Sequence, residues 1–295
     1  MKKLCLSLCL ILLVIPCALK AAPQMEVKPA ETIDELTARF SDSQCRTCHV
    51  AIYDEWKESF HSQALLHSLG GIRNFIAIGI PQEWRRDVTK SDLMKCFHCH
   101  APQLYDASEA LVKKVGDMVV GAVDEKDPVK KEGFRKELAR LNVNCIVCHN
   151  TVVHRPSMGW YGPPEKGVIY GTKGTQAPHK TALSATMKSS LFCGQCHGTY
   201  NPPDSDTVFC NTLHESYLNA YLPNGGQKVC QDCHMREKKR GHRFPGAYDA
   251  DILRDGLDFD AEVTRNNHIV GKEWKPRIVA TVNIYNKSGH RTPDG

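Results

Sequence analysis

The chain has 295 residues, of which 24% are charged and 7% aromatic, with 14 cysteines and 14 histidines. Its formal charge is only +5, and it contains no long basic run, which excludes a nucleic-acid reading based on charge. Beyond the first twenty residues no stretch is apolar and long enough to span a bilayer.

The chain opens on Met1-Lys2-Lys3, followed by an almost wholly apolar run from Leu4 to Ala18 and small residues at Ala21 and Ala22. This pattern predicts a secretory signal peptide over residues 1–21 and an exported, periplasmic protein. Pro16 makes the preceding segment a poor lipid-attachment signal for Cys17. Removing Lys2, Lys3 and Lys20 lowers the charge to +2.

Thr32 and Glu35 predict a capped helix, with Ile33, Leu36 and Phe40 on one face. Tyr53, Trp56, Phe60 and Ala64 predict a second apolar stripe. Asp127-Pro128 starts a further helix carrying Phe134, Leu138 and Leu141, which Asn142 ends. Between Pro156 and Pro178 nine of 23 residues are Gly or Pro, which predicts an irregular loop. Asn201-Pro202-Pro203-Asp204 and Pro223-Asn224-Gly225-Gly226 are turns, and Leu213, Tyr217 and Tyr221 share a helix face. Arg236 to Arg240 reads as a solvated basic loop interrupted by Glu237. Near the end, Ile278, Ala280, Val282 and Ile284 alternate with Val279, Thr281, Asn283 and Tyr285, a strand that needs a partner. The partner is either another chain or the segment from Phe259 to Val263.

Five CxxCH pentapeptides run through these elements: Cys45 to His49, Cys96 to His100, Cys145 to His149, Cys193 to His197 and Cys230 to His234. Each reads as a c-type haem attachment site. Cys45, Cys48, Cys96, Cys99, Cys145, Cys148, Cys193, Cys196, Cys230 and Cys233 would form thioethers to the porphyrin vinyl groups. His49, His100, His149, His197 and His234 would be the proximal iron ligands. A structural zinc site pairs two CxxC units into four ligands, whereas here each of five units carries its own histidine. The cofactors are therefore five covalent haems, whose propionates make the loaded protein acidic. After leader removal Cys210 is the odd thiol, read as a small buried apolar residue.

The expected fold is mainly α with extensive irregular loops, wrapped around five haems, with a short β element at the C-terminus. Residues 22–250 form the pentahaem domain and residues 251–295 a C-terminal segment. With porphyrins supplying the interior, little regular structure and little aliphatic burial are expected.

A haem with two protein ligands passes electrons, whereas one open face can bind a substrate. Nine histidines lie outside the motifs: His61, His67, His98, His154, His179, His214, His242, His268 and His290. From His49 to Gly246 the chain resembles the multihaem cytochromes related to the tetrahaem c-type cytochrome of ammonia oxidisers. The residues that carry the resemblance are Trp56-x-x-Ser59-x-His61, His179 ahead of Ser189 to His197, and Cys230 to Met235 followed by His242-Arg243-Phe244-Pro245-Gly246. It implies that such histidines serve as distal ligands to haems attached elsewhere in sequence. Pentahaem relatives belong to the electron conduits of metal-reducing bacteria, and Gly289-His290-Arg291-Thr292-Pro293 is similar to a signature of a β-domain in related proteins.

The distal candidates are His61, His154, His179, His242 and His290, with His214 in reserve. His67 reads as a packing residue, and His98 lies within its own thioether loop. The expected function is periplasmic electron transfer between redox proteins: other cytochromes, a membrane quinol oxidase or an outer-membrane conduit. The alternative is a reductase of a small oxyanion or nitrogen compound at one five-coordinate haem, although no CxxCK motif is present.

Overall fold

Thr32 starts α1 (Ile33–Arg39), its hydroxyl accepting from the Glu35 amide at 3.1 Å. The computed structural model describes residues 28–151, 167–174, 176–199, 212–292 and 294. Residues 1–27 with Cys5, Cys9 and Cys17, together with His154, residues 201–204 and Cys210, lie outside the described residues. Helices α2 (Cys45–Cys48) and α3 (Val50–Glu58) follow. Next come α4 (Ala64–His67), α5 (Leu69–Asn74) and α6 (Lys90–His100). Beyond them lie α7 (Glu109–Asp124) and α8 (Pro128–Leu138), the latter capped by Asp127 as its Asp-Pro pair predicts.

The second stripe ends earlier than the spacing predicts. Ser59 is extended, at φ −79° and ψ 157°, so the helix stops after Glu58. Trp56 stays buried, but Phe60 is swung out and lies edge-on against His67, 4.4 Å between ring centres.

The expectation of little aliphatic burial is corrected. A continuous apolar core runs from Ala30 to Val147. Helix α7 is its spine, with Leu111, Val112, Val115, Val119 and Ala122 on one buried face. Gly116 lets α6 approach closely: a Cβ there would meet Leu93 at 3.0 Å. Such a face is a 3.6-residue repeat, and it buries against α5, α6 and α8.

The rest of the chain is thinner. A parallel pair, β1 (Ile169–Gly171) with β2 (Thr181–Leu183), closes the Gly/Pro-rich loop. Short helices α9 (Ser190–Gly194), α10 (Leu213–Ser216) and α11 (Ala250–Gly256) follow. The strand at Ile278–Tyr285 finds its partner within the chain. β3 (Leu257–Val270) pairs antiparallel with β4 (Glu273–Asn286), in a register that sets Phe259 opposite Ile284 and Val263 opposite Ala280. The two-residue turn between them begins at Gly271, φ +65°, a conformation glycine adopts without steric cost. Among the described residues no helix is long and apolar enough to cross a membrane.

Leu138 is fully buried where α8 leads into the third motif. Leu138→Ala is expected to lower unfolding free energy by about 2–5 kcal/mol, measured as a shift in denaturant midpoint at constant slope.

Candidate haem sites

Each described motif sits on a helical turn that projects its histidine away from its two thiols. Cys45–Cys48 is itself a turn of helix, Cys96–His100 ends α6, and Cys193 lies in α9. The ten motif thiols are free of disulfides. Burial, with the nearby Cys196 and Cys145 adding to it, pushes the Cys148 thiol up to about 12.

Backbone carbonyls orient the proximal rings. Nδ1 of His149 donates to the Tyr170 carbonyl at 2.7 Å, and Nδ1 of His234 to that of Pro245 at 2.8 Å. His100 donates from Nδ1 to Ala64 at 3.1 Å, with the Ser68 hydroxyl at 2.9 Å beside it. A proton fixed on Nδ1 leaves Nε2 free as an iron ligand.

The rings opposite come from remote parts of the chain. His49 faces His179 with ring centres 6.5 Å apart, and His197 faces His61 at 6.0 Å. His149 faces His242 at 6.4 Å, and His234 faces His290 at 6.2 Å, their planes within 26° and 17° of parallel. An iron between two imidazoles, with bonds of about 2 Å and roughly 1.1 Å from nitrogen to ring centre, separates the centres by roughly 6.3 Å. All four spacings fit that group, and in each of the four a motif histidine meets a histidine from outside the motifs. Among the described residues His100 has no histidine across from it. His154, the remaining distal candidate, lies outside them.

Local structure explains each delivery. Trp56 donates from its indole to Val143 O at 2.8 Å, and the Val143 amide donates to His61 O at 3.1 Å, which holds His61 beside the third motif. His179 sits just before β2, whose partner β1 carries the Tyr170 carbonyl. The His242 amide donates to Glu55 at 2.9 Å, and Arg243 reaches Glu55 and Glu58. The tail is tied to α10 and the residue before it: Asp294 accepts from Thr212, and the Arg291 amide donates to Ser216 at 2.8 Å. That anchor holds His290 against His234, and Nδ1 of His290 donates to Arg291 O at 2.8 Å.

Burial favours the neutral form of His61 and His197. Burial, with repulsion from His197 and His242 added, lowers the His61 pKa to about 3. Burial and neighbouring His234, His100 and His290 lower that of His197 to about 4. A neutral imidazole is the form that binds a metal.

The motifs also touch one another. The Cys45 thiol lies beside that of Cys145, and the Cys193 thiol beside that of Cys230. Cys99 approaches the Cys196 carbonyl at 3.7 Å, and His98 joins Nε2 to the Gln195 carbonyl at 3.2 Å. Phe244 packs edge-on against both His61, at 4.7 Å, and His242, at 5.4 Å. It does so from a left-handed backbone, φ 45°, a strained conformation for a bulky residue.

His214 and His98 make other contacts. The ring of His214 lies over Gly194, where a Cβ would meet it at 2.5 Å, and stacks on Tyr217. His98 is buried and bonded to Tyr105 Oη at 2.9 Å. His268 lies on β3. Sequence reasoning did not single out Tyr170, Pro245, Ala64 or Phe244. The first three act through main-chain oxygens, which leave no mark on residue type, but a Phe two residues beyond a candidate ligand is a visible signal.

Among the described residues no group of three or more His, Cys, Asp or Glu side chains converges as a zinc site does. The family model for cytochrome c554 and c-prime matches residues 44–124, which hold the first two motifs and the helices up to the end of α7. No curated protein and no solved structure matches the chain.

The intact mass of protein matured in a host that attaches c-type haem is expected to exceed the polypeptide mass by five haems. A lower count would contradict the motif assignment.

Proposed function

We propose that this multihaem c-type cytochrome is an electron-transfer protein in which at least four haems are held between two histidines. The observation that carries this reading is the set of four cross-paired rings, each spaced for one intervening iron. In this reading His179 completes the site of the first motif, His242 the third, His61 the fourth and His290 the fifth. Haem iron held by two imidazoles passes single electrons, at a lower potential than with Met/His ligation.

The protein's task is then placement. Contacts between thiols and histidines order the sites. The first motif adjoins the third through Cys45 and Cys145. The third and fourth meet where Phe244 lies between their distal rings. The fourth meets the second through Cys99 and His98, and the fifth through Cys193 and Cys230. The fourth motif is thus a branch point. The first pair lies at the surface, since His49 and His179 are both exposed, and it suits an encounter with a redox protein. We assign that protein to the periplasm, with another cytochrome, a quinol oxidase or an outer-membrane conduit as its partner class.

One observation favours a second reading. His100 is oriented like the other proximal rings, yet no described histidine stands opposite it. A haem open at that position could bind a small oxyanion or nitrogen compound, with Ser68 and Ala64 steadying the ligand beneath it.

A reduced-minus-CO difference spectrum tests the four pairs. Electron transfer predicts CO binding by at most one haem, and strong binding by several would overturn it. His61→Ala, His179→Ala, His242→Ala and His290→Ala are each expected to add one CO-binding haem while leaving the attached count at five. A variant whose CO spectrum is unchanged would remove that histidine from the ligand set.

A further inference from the structure

We infer that the β3–β4 hairpin is a dimerisation arm whose apolar face packs against the same face of a second copy of this chain.

The register makes the arm two-faced. Residues paired directly across an antiparallel ladder point to the same side. Phe259, Val263, Ile278, Val282 and Ile284 therefore share one face with Trp274 near the tip. Asp258, Asp260, Glu262, Lys275 and Arg277 share the other. Hence, Arg265 apart, charge lies on one side along the length of two 14-residue strands. The apolar side lies open, its six named residues being 56–77% exposed. Among the described residues the main neighbour of the arm is α11, at its base.

Such a face needs cover. A lone two-stranded hairpin is at best marginally stable in water, and a contiguous exposed apolar surface of this extent marks an interaction site. Area favours a second copy. Six or seven large side chains, each exposing on the order of 100 Å², present roughly 700 Å² per copy. Two copies together remove roughly 1,400 Å², within the range of about 1,200–2,000 Å² that stable interfaces bury. The face is also self-complementary. Stacked about a two-fold axis, as aligned sheets stack, it buries apolar residues on both sides while both charged faces stay in water. Arg265 and Asn267 are the polar members of the face, both on β3, and an arginine there extends past the strand edge to solvent. Edge-to-edge pairing of two arms would leave the apolar face uncovered, so face-to-face packing is the arrangement that removes the exposure. The base of the arm lies next to the tail that holds His290, so a dimer would join two copies near the fifth motif.

The experiment is sedimentation velocity of the full-length haem-loaded protein over a dilution series, with hydrogen exchange of residues 257–286. The wild type is expected to dimerise reversibly, with slow exchange in the arm that quickens on dilution. Ile278→Glu with Val282→Glu should be monomeric, with unchanged haem count and reduced spectrum. Ile278→Thr with Val282→Thr, which keeps strand propensity, should weaken dimerisation about tenfold or more. Three results would overturn the proposal. A wild-type monomer with a slowly exchanging arm would assign the face to another segment or partner. A wild-type monomer with a freely exchanging arm would leave it uncovered. A dimer that survives the Glu variant would place the interface elsewhere.

Discussion

An iron between two imidazoles requires rings roughly 6 Å apart, and four pairs of histidine rings in this fold meet that spacing. None of the four facing pairs joins near neighbours in sequence. His61 must reach the fourth motif, His242 the third, His179 the first and His290 the fifth. Each pair is a long-range constraint, joining residues at least 56 apart in sequence. The tetrapeptide His242-Arg243-Phe244-Pro245 shows how densely these demands overlap. It supplies one ring facing His149, an aromatic spacer against His61, and the carbonyl that orients His234. Arg243 meanwhile ties it to α3, which follows the first motif.

Two kinds of interior result. The helices from Ala30 to Val147 close around an ordinary aliphatic core. Beyond it the described segments bury few large apolar side chains, and the motifs are joined mainly through thiols, rings and carbonyls. A group that binds only the folded arrangement stabilises it by linkage, and covalent haem does so permanently. That gives a physical reason for the short helices and the left-handed Phe244: the local cost is carried by the site that the segment builds.

The five haem attachments were legible in the sequence because CxxCH is a local motif whose spacing carries its chemistry. So were Thr32 and Asp127, since a cap acts on the residues beside it. The distal half was legible only as a set of candidates. His61, His179, His242 and His290 were nominated, but which ring faces which motif depends on crossings that spacing does not encode. Spacing also failed at Phe60, where one extended residue, Ser59, broke an otherwise continuous stripe. The aliphatic core was underestimated because cofactor size was weighed and the repeat along α7 was not. The terminal strand was recognised from its alternation, and its pairing with Phe259–Val263 was one of two options, which the register decides.

The hairpin and the histidine pairs obey different physics: one exposes apolar area that association can bury, and the other holds polar rings apart at a metal's distance. The ring spacings bear most directly on function, and iron anomalous diffraction from crystals of the haem-loaded protein tests them in one measurement. The expected map has five iron peaks. Four lie midway between His49 and His179, His61 and His197, His149 and His242, and His234 and His290, and the fifth lies beside His100. An iron displaced from any of the four gaps, with one of its histidines turned away, would contradict the pairing.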